Sequence, residues 1–154
     1  MPNWCRNILK ISGPQNEIAR FRKDAVGFTP WSVPQPEQEP EPLNFHSLVP
    51  VPSEVLEAGY HEAGYHWQIQ HWGCKWSAHT VKIEDKQPDY LFYWFETPWS
   101  PPLALFEQVS KHRPNLKFEL SYFDEIYNFN GTATAQNGTL EVQPDANSVS
   151  VSEE

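Results

Sequence analysis

The sequence predicts an α+β domain in which one face of an antiparallel sheet carries two helices. Three observations predict it. Apolar periodicities occur in the order strand, helix, strand, strand, helix, strand. A proline-rich stretch separates the first helix from the second strand, and an Asn-Gly dipeptide near the C-terminus joins two further strand-like segments. Apolar residues are concentrated in residues 4–29 and 65–142, which favours one core over two.

The chain begins with a predicted strand and a predicted helix. Residues 4–12 alternate as a half-buried strand does. The inward side chains are Cys5, Leu9 and Ile11, and the outward ones are Trp4, Arg6, Ile8 and Lys10. Gly13 and Pro14 end the strand, and residues 15–24 place apolar side chains at helical spacing.

Residues 30–64 are predicted to be an insertion. Seven prolines between residues 30 and 52 favour extended, solvated backbone over a helix or a sheet ladder. Residues 43–49 have the apolar spacing to dock on the core, and residues 53–58 favour one or two helical turns. Gly59 and Gly64 permit sharp redirection of the chain. A short helix over residues 65–72 is expected to end at Gly73 in a left-handed cap.

The second half of the chain supplies the rest of the sheet. Strands are predicted over residues 76–84, 90–97 and 116–123, a helix starts at Pro101-Pro102 and ends near His112, and a hairpin joins residues 127–134 to 139–142. Residues 90–97 are apolar on both faces, which suits a central strand. This order is the ferredoxin-like split β-α-β sandwich with an insertion after the first helix and an extra C-terminal hairpin. Residues 1–142 are expected to form one domain, and residues 143–154 are expected to be a disordered acidic tail.

Charge and composition narrow the classes of function. The net charge of −9 opposes general binding to nucleic-acid backbones. Basic residues outnumber acidic ones only in residues 1–29 and 63–117, so a positive pocket inside an acidic envelope is compatible with the sequence. The N-terminus lacks the features of a signal peptide, no apolar run has the length of a membrane span, and two cysteines suggest no disulfide framework. A reduced, cytoplasmic protein is expected.

Four sequence blocks resemble the signatures of one family. They are Asn-Trp-Cys-Arg-Asn at residues 3–7, Leu-Val-Pro-Val-Pro at 48–52, Trp-Gly-Cys-Lys-Trp at 72–76 and Phe-Glu-Thr-Pro-Trp-Ser-Pro-Pro at 95–102. The chain is similar in these blocks to the YubB ferredoxin-like family of Api-type phage and plasmid proteins, for which no activity is established. It departs from the pattern at Cys74, where Thr is frequent, and in its proline-rich segment. The family name describes topology, and two cysteines are too few for an iron–sulfur cluster, so no cofactor is expected.

Several chemistries are considered at residues 61–79. His61, His66, His71, Cys74 and His79 are of ligand type for zinc, but their spacing does not align three side chains on one helical face. Lys75 beside Cys74 would favour a thiolate nucleophile, although a buried structural cysteine is the commoner case. A hydrolase or nuclease would need convergent carboxylates that spacing does not show. We predict neither a metal site nor catalytic residues.

The aromatic and basic residues around positions 72–76 form the predicted ligand site. The candidates are Asn3, Trp4, Arg6, Asn7, His71, Trp72, Lys75, Trp76 and Trp99. Their tryptophans either stack on a planar ligand or staple the insertion onto the sheet. The first hypothesis is an accessory protein that binds, and sequesters, a nucleotide-like molecule or host defence signal. The second is an acidic module that inhibits a host protein.

The predicted sheet leaves one surface to be explained. The face that carries Trp4, Arg6 and Ile8 needs cover from residues 43–75 or from a partner. Exposed edges and faces of a split β-α-β sheet also permit a homodimer.

Overall fold

The structure, a computed structural model, describes residues 3–85, 87–124 and 129–144. The strands in these ranges are β1 (Trp4–Ser12), β2 (His79–Glu84), β3 (Tyr90–Pro98), β4 (Lys117–Asp124), β5 (Phe129–Gln136) and β6 (Thr139–Pro144). The helices are α1 (Gln15–Asp24), α2 (Phe45–Leu48), α3 (Ser53–Ala58), α4 (Tyr65–Trp72) and α5 (Leu103–His112). A π-helical turn, Tyr60–Gly64, joins α3 to α4. Across the described part of the chain, no helix is long and apolar enough to cross a membrane.

The strands form one antiparallel sheet in the order β2-β3-β1-β4-β5-β6. Strands β1 to β4 are those of a split β-α-β fold, because β3 lies between β1 and β2 in the sheet. The β5-β6 hairpin extends the sheet beyond β4. On β1, Ile8 lies between Trp94 of β3 and Ser121 of β4. The predicted α+β ferredoxin-like fold, with its insertion and its extra hairpin, is confirmed.

The inward face of the sheet carries the core. Alternate residues of β1 and β3 are buried, as the two-residue period of a strand requires. Phe118 of β4 lies 5.6 Å from Phe21 of α1 and 5.7 Å from Phe106 of α5, measured between ring centroids. These rings join both helices to the sheet, since large aromatic side chains contribute most of the buried apolar area.

The insertion packs on the same side of the sheet as α1 and α5. Leu43, Phe45 and Trp72 are buried in the core cluster. The ring of Phe45 meets Trp72 edge-on at 5.7 Å and Phe95 of β3 at 6.3 Å. The insertion therefore covers the inward face. The alternative in which residues 43–75 cover the opposite face, which carries Arg6 and Ile8, is wrong.

Several local predictions need adjustment. The second strand begins at His79 instead of residue 76, and neither α2 nor the π-helical turn was predicted. Gly64 does not redirect the chain: its φ of −62° is helical, and its missing side chain makes room for the ring of Trp31. Strand β6 runs to Pro144, two residues into the predicted tail, and residues 145–154 lie outside the described residues, as do 125–128.

The hydroxyl of Tyr93 offers a test of the core. This side chain is fully buried on β3, and its oxygen has no hydrogen-bond partner within the described ranges. Since an unpaired buried hydroxyl costs about 1–3 kcal/mol, we expect Tyr93→Phe to raise the free energy of unfolding by about 1 kcal/mol in urea denaturation. A loss of stability would show instead that the hydroxyl has a partner in solution.

Candidate functional site

Lys75 holds together the aromatic residues of the predicted site. Its Nζ lies 3.7 Å from the ring centroid of Trp99 and 4.5 Å from that of Trp76, so the ammonium contacts both indoles. A cation over the face of an indole is attracted by the ring quadrupole. Trp76 in turn lies 6.2 Å from Trp4 and 5.9 Å from His79. The structure thus brings four of the predicted residues together: Trp4, Lys75, Trp76 and Trp99.

Trp99 stands at a strained backbone position. Its φ is 69°, which is rare for a bulky residue, and its side chain is 45% exposed. The backbone N–H of Trp99 donates to the carbonyl oxygen of Asn3 at 2.7 Å. Asn3 therefore joins the site through its backbone, by fixing the turn that holds Trp99 beside Lys75.

Two candidates are part of the core. Trp72 is only 2% exposed, and its Nε1–H donates to the carbonyl oxygen of Val49 at 3.0 Å. Asn7 is buried as well, and its Nδ2 donates to Thr97 Oγ1 at 3.0 Å and to the carbonyl oxygen of Cys5 at 3.2 Å. Their donors serve these internal bonds, so both residues stabilise the fold, and Trp72 is a staple between the insertion and the core.

The remaining candidates lie elsewhere. His71 stacks on Trp67 with 4.3 Å between ring centroids, and Nδ1 of His71 donates to the carbonyl oxygen of Trp67 at 2.9 Å. Arg6 points to the exposed, outward face of the sheet, where it is opposite Glu96 and Phe123. The nine residues predicted from the sequence therefore do not form one site.

A pocket of about 300 Å³ lies between the insertion and the edge of the sheet. We call it the insertion pocket. Its lining includes three half-buried aromatic side chains and a fully buried amide. These four residues are Trp31, Tyr60, Trp76 and Gln68. Of the residues that line the pocket, Trp72 and Trp76 were predicted from the sequence, whereas Trp31 stands in the proline-rich stretch, where no local pattern marks it.

Gln68 of α4 fixes the walls of the insertion pocket. Its Oε1 accepts from Nε1 of Trp31 at 2.8 Å, and its Nε2 donates to the carbonyl oxygen of Lys75. The hydroxyl of Tyr60 donates to that same carbonyl oxygen at 3.3 Å. One buried amide thereby links the two sides of the pocket, and a satisfied buried network of this kind holds its members in one arrangement.

Two titratable residues add polar character to the insertion pocket. Glu41 accepts from Nδ2 of Asn44 at 2.8 Å through one of its two oxygens. Nδ1 of His46 accepts from the backbone N–H of Val51 at 2.9 Å, which leaves Nε2 as the donor of the neutral ring. Burial lowers the pKa of His46 from its ordinary value. A carboxylate acceptor and a neutral imidazole donor thus lie beside the aromatic walls.

The shift at His46 predicts how stability depends on pH. Its pKa is lower in the folded protein than the ordinary value of 6.5, so the unfolded chain binds the proton more readily. The contribution of this neutral ring is complete above about pH 6.5 and is lost as the pH falls through the folded pKa. We expect urea denaturation at pH 7.5 and 5.5 to show a smaller loss of stability for His46→Gln, which does not titrate, than for the unaltered protein. Equal losses would contradict the assignment.

Neither thiol is suited to nucleophilic catalysis. Burial raises the pKa of Cys5 to about 11, and it also raises the pKa of Cys74, whose Sγ–H donates to the carbonyl oxygen of Trp76 at 3.2 Å. The reactive thiolate is therefore disfavoured at neutral pH. Within residues 3–85, 87–124 and 129–144, no three His, Cys, Asp or Glu side chains are placed to hold a metal ion.

Comparisons with known proteins concern the fold. A family model described as a ferredoxin-like domain in Api92-like protein matches residues 75–151. The crystal structure of a protein api92 from Yersinia pseudotuberculosis superposes on 95% of this chain and 99% of its own with a TM-score of 0.77. The two sequences are 9% identical, so the likeness shows a shared fold. No curated protein matches the chain.

Proposed function

Because this chain belongs to the family of ferredoxin-like domains in Api92-like proteins, whose description states a fold and no activity, we propose its function from the insertion pocket. The protein binds a small planar molecule of nucleotide-like chemistry there and does not transform it. The observation that carries this proposal is the meeting of Trp31, Tyr60 and Trp76 around about 300 Å³. That volume is at the lower end of small-molecule sites, and aromatic walls with few polar groups are typical of them.

The polar residues of the insertion pocket favour the heterocyclic part of such a ligand. A carboxylate such as Glu41 accepts hydrogen bonds from ring or amino N–H groups, and the neutral His46 donates one to a ring nitrogen or carbonyl. A phosphate inside the pocket would be repelled by Glu41. The base-like ring therefore enters the pocket, and any phosphate of the ligand stays outside it.

The thiol chemistry favours binding over catalysis. Cys74 lies two residues before Trp76, but burial keeps it protonated at neutral pH. The side-chain amide of Gln68 accepts from Nε1 of Trp31 and donates to the carbonyl oxygen of Lys75, both in the pocket walls. These groups position aromatic surfaces and supply neither a nucleophile nor a base.

The biological setting of the proposal comes from the sequence blocks that resemble the YubB family. Those proteins are encoded by phages and plasmids, which supports an accessory role in the cytoplasm of a bacterial host. In that setting, the bound molecule is a nucleotide-like defence signal, and the protein acts by sequestering it.

Two tryptophans that share Lys75 allow a matched experiment. Trp76 and Trp99 both contact the ammonium, but only Trp76 lines the insertion pocket. We expect Trp76→Ala to weaken binding of a nucleoside or nucleotide by about tenfold or more, since stacking of one base contributes about 1–3 kcal/mol. Titration calorimetry with guanosine, cytidine, adenosine, their monophosphates and cyclic dinucleotides measures the effect.

The companion variant is Trp99→Ala, which removes an exposed indole from the same lysine and leaves the pocket wall in place. Binding to this variant should stay within about twofold of the unaltered protein. If every compound of the panel fails to bind the unaltered protein, or if both variants lose binding equally, the insertion pocket is not the site.

A second candidate function is favoured by the exposed acidic side chains of the insertion. Residues 30–62 carry six acidic and no basic residues, and Glu37, Glu39, Glu54 and Glu57 are exposed. Such a surface can dock on a basic host protein and inhibit it. Changing these four residues to glutamine should abolish capture of that protein in a pull-down, whereas Trp76→Ala should not. The opposite pattern would favour the small-molecule proposal.

A further inference from the structure

The face of the sheet opposite the helices and the insertion presents a row of aromatic side chains. We call it the outer face. On β3, Tyr90, Phe92 and Trp94 follow one another at every second residue, and Phe92 stacks on Trp94 at 5.6 Å between centroids. Ile8 of β1 is 42% exposed and Phe123 of β4 is 38% exposed. Water thus meets apolar side chains from all three central strands, which soluble domains rarely leave exposed without a partner.

A groove of about 640 Å³ runs across the outer face. Trp94 and Phe123 line it from the two strands that flank β1, and Ile8 lies between them. Polar side chains of β4 and β5, Ser121 and Thr132, complete the lining on one side. The groove is therefore an aromatic floor with hydrogen-bonding groups along one edge.

The charge of the groove differs from that of the chain. Its lining includes the basic residues Arg6 and Lys82 and the acidic residue Glu96, a balance of +1, whereas the whole chain carries −9. Across the outer face, Lys10 and Lys117 add two further cations, and Glu84, Glu119 and Glu141 add three anions. The groove is thus a local positive region within a nearly neutral face of an acidic protein.

We propose that the outer face binds a short single strand of nucleic acid by stacking bases on Trp94 and Phe123. Proteins that bind single strands combine aromatic platforms with a cationic groove that follows the backbone. In small domains with a four-stranded sheet, aromatic side chains on the open face can stack two or three bases. The groove offers both parts: rings on β3 and β4, and Arg6 and Lys82 beside them for phosphates.

The same charges argue against binding to a duplex. A paired helix hides its bases and is held mainly through phosphates, which a protein of net charge −9 with few cations on this face repels.

A second copy of the chain is less suited to the groove, because polar residues of β4 and β5 line one edge and the cations of two copies would face each other. Because Arg6 and Lys82 are the only basic residues among the described residues that line the groove, binding of a single strand is driven by stacking and depends weakly on salt.

Fluorescence anisotropy with labelled eight-nucleotide oligo-dT and oligo-U, and with a duplex of matched length, tests the proposal. We expect at least one of the single strands to bind more tightly than the duplex by about tenfold or more, and comparison of the two shows whether the DNA or the RNA strand binds better. Phe123→Ala and Trp94→Leu should each weaken single-strand binding by about fivefold or more. Lys82→Gln, an exposed change that leaves the core untouched, should reduce the slope of log affinity against log salt by about 0.7.

Control variants separate this face from the insertion pocket. Trp99→Ala and Trp76→Ala remove aromatic rings that lie outside the groove, and both should bind single strands as the unaltered protein does. The proposal is overturned if neither single strand binds, if the duplex binds equally well, or if Phe123→Ala and Lys82→Gln have no effect. A dimer in sedimentation that Phe123→Ala converts to a monomer would also overturn it, by assigning the face to a second copy.

Discussion

Replacing Trp72 by alanine is expected to lower the free energy of unfolding by about 3–5 kcal/mol, the usual range for removing a buried aromatic side chain. The indole is 2% exposed, and it packs edge-on against Phe45 at 5.7 Å and Trp67 at 6.0 Å. The change opens a cavity among these rings and leaves the carbonyl oxygen of Val49 without its donor. Urea denaturation followed by circular dichroism measures the loss.

Two further variants separate packing from hydrogen bonding at this position. Trp72→Phe keeps an aromatic ring but has no donor for Val49, so its cost should be clearly smaller than that of alanine. Trp99→Ala removes an indole that is 45% exposed and should cost about 1 kcal/mol or less. A loss below about 2 kcal/mol for Trp72→Ala would mean that the insertion is anchored mainly by other residues.

The parts of the fold that the sequence predicted are those set by short-range periodicity. Alternation in residues 4–12 identified β1, because a strand buried on one face repeats every second residue, and a short run that is apolar on both faces in residues 90–97 identified β3 as a central strand. The left-handed cap at Gly73 was confirmed for a similar reason: its φ of 90° is a local requirement that glycine meets without strain. Each of these features depends on fewer than about a dozen neighbouring residues.

The insertion pocket could not be predicted because its walls come from distant parts of the chain. Trp31 and Gln68 are separated by 37 positions, and their hydrogen bond exists only after the proline-rich stretch returns to α4. Composition identified that stretch as extended and solvated, yet its tryptophan is half-buried. An isolated aromatic residue in a polar segment carries no periodicity, and so no pattern indicated which surface it would meet.

The side of the sheet on which the insertion packs was likewise beyond the sequence. Apolar residues such as Leu43 and Phe45 show that a segment is buried, but both faces of the predicted sheet offered aromatic side chains to bury it. The choice follows from packing: Phe45 fits between Trp72 and Phe95 on the inward face. Arg6 and Lys75 were expected in one site, but Arg6 lines the groove of the outer face, whereas Lys75 contacts Trp76 and Trp99.

The second large effect is expected at Gly73, where alanine should lower the free energy of unfolding by about 2–3 kcal/mol through backbone strain and crowding. A Cβ added there would lie 3.1 Å from the backbone nitrogen of Leu103 and 3.2 Å from the carbonyl oxygen of Pro101. These are main-chain atoms at the start of α5, which cannot rotate away as a side chain does. The carbonyl of Gly73 also accepts from Ser100 Oγ at 2.6 Å, so the displacement would spread towards Trp99.

Gly138 supplies the matched control for Gly73→Ala, because its φ of 81° is similar but an added Cβ would come no closer than 3.4 Å to Lys111. Alanine at this position should cost only the strain of the left-handed conformation, about 1–2 kcal/mol. The difference between the two variants in urea denaturation then measures the crowding between Gly73 and α5. A difference near zero would mean that the start of α5 yields to the new methyl group. Because Trp76 lies three residues after Gly73 and lines the insertion pocket, such yielding would also allow the pocket to adapt without loss of the core.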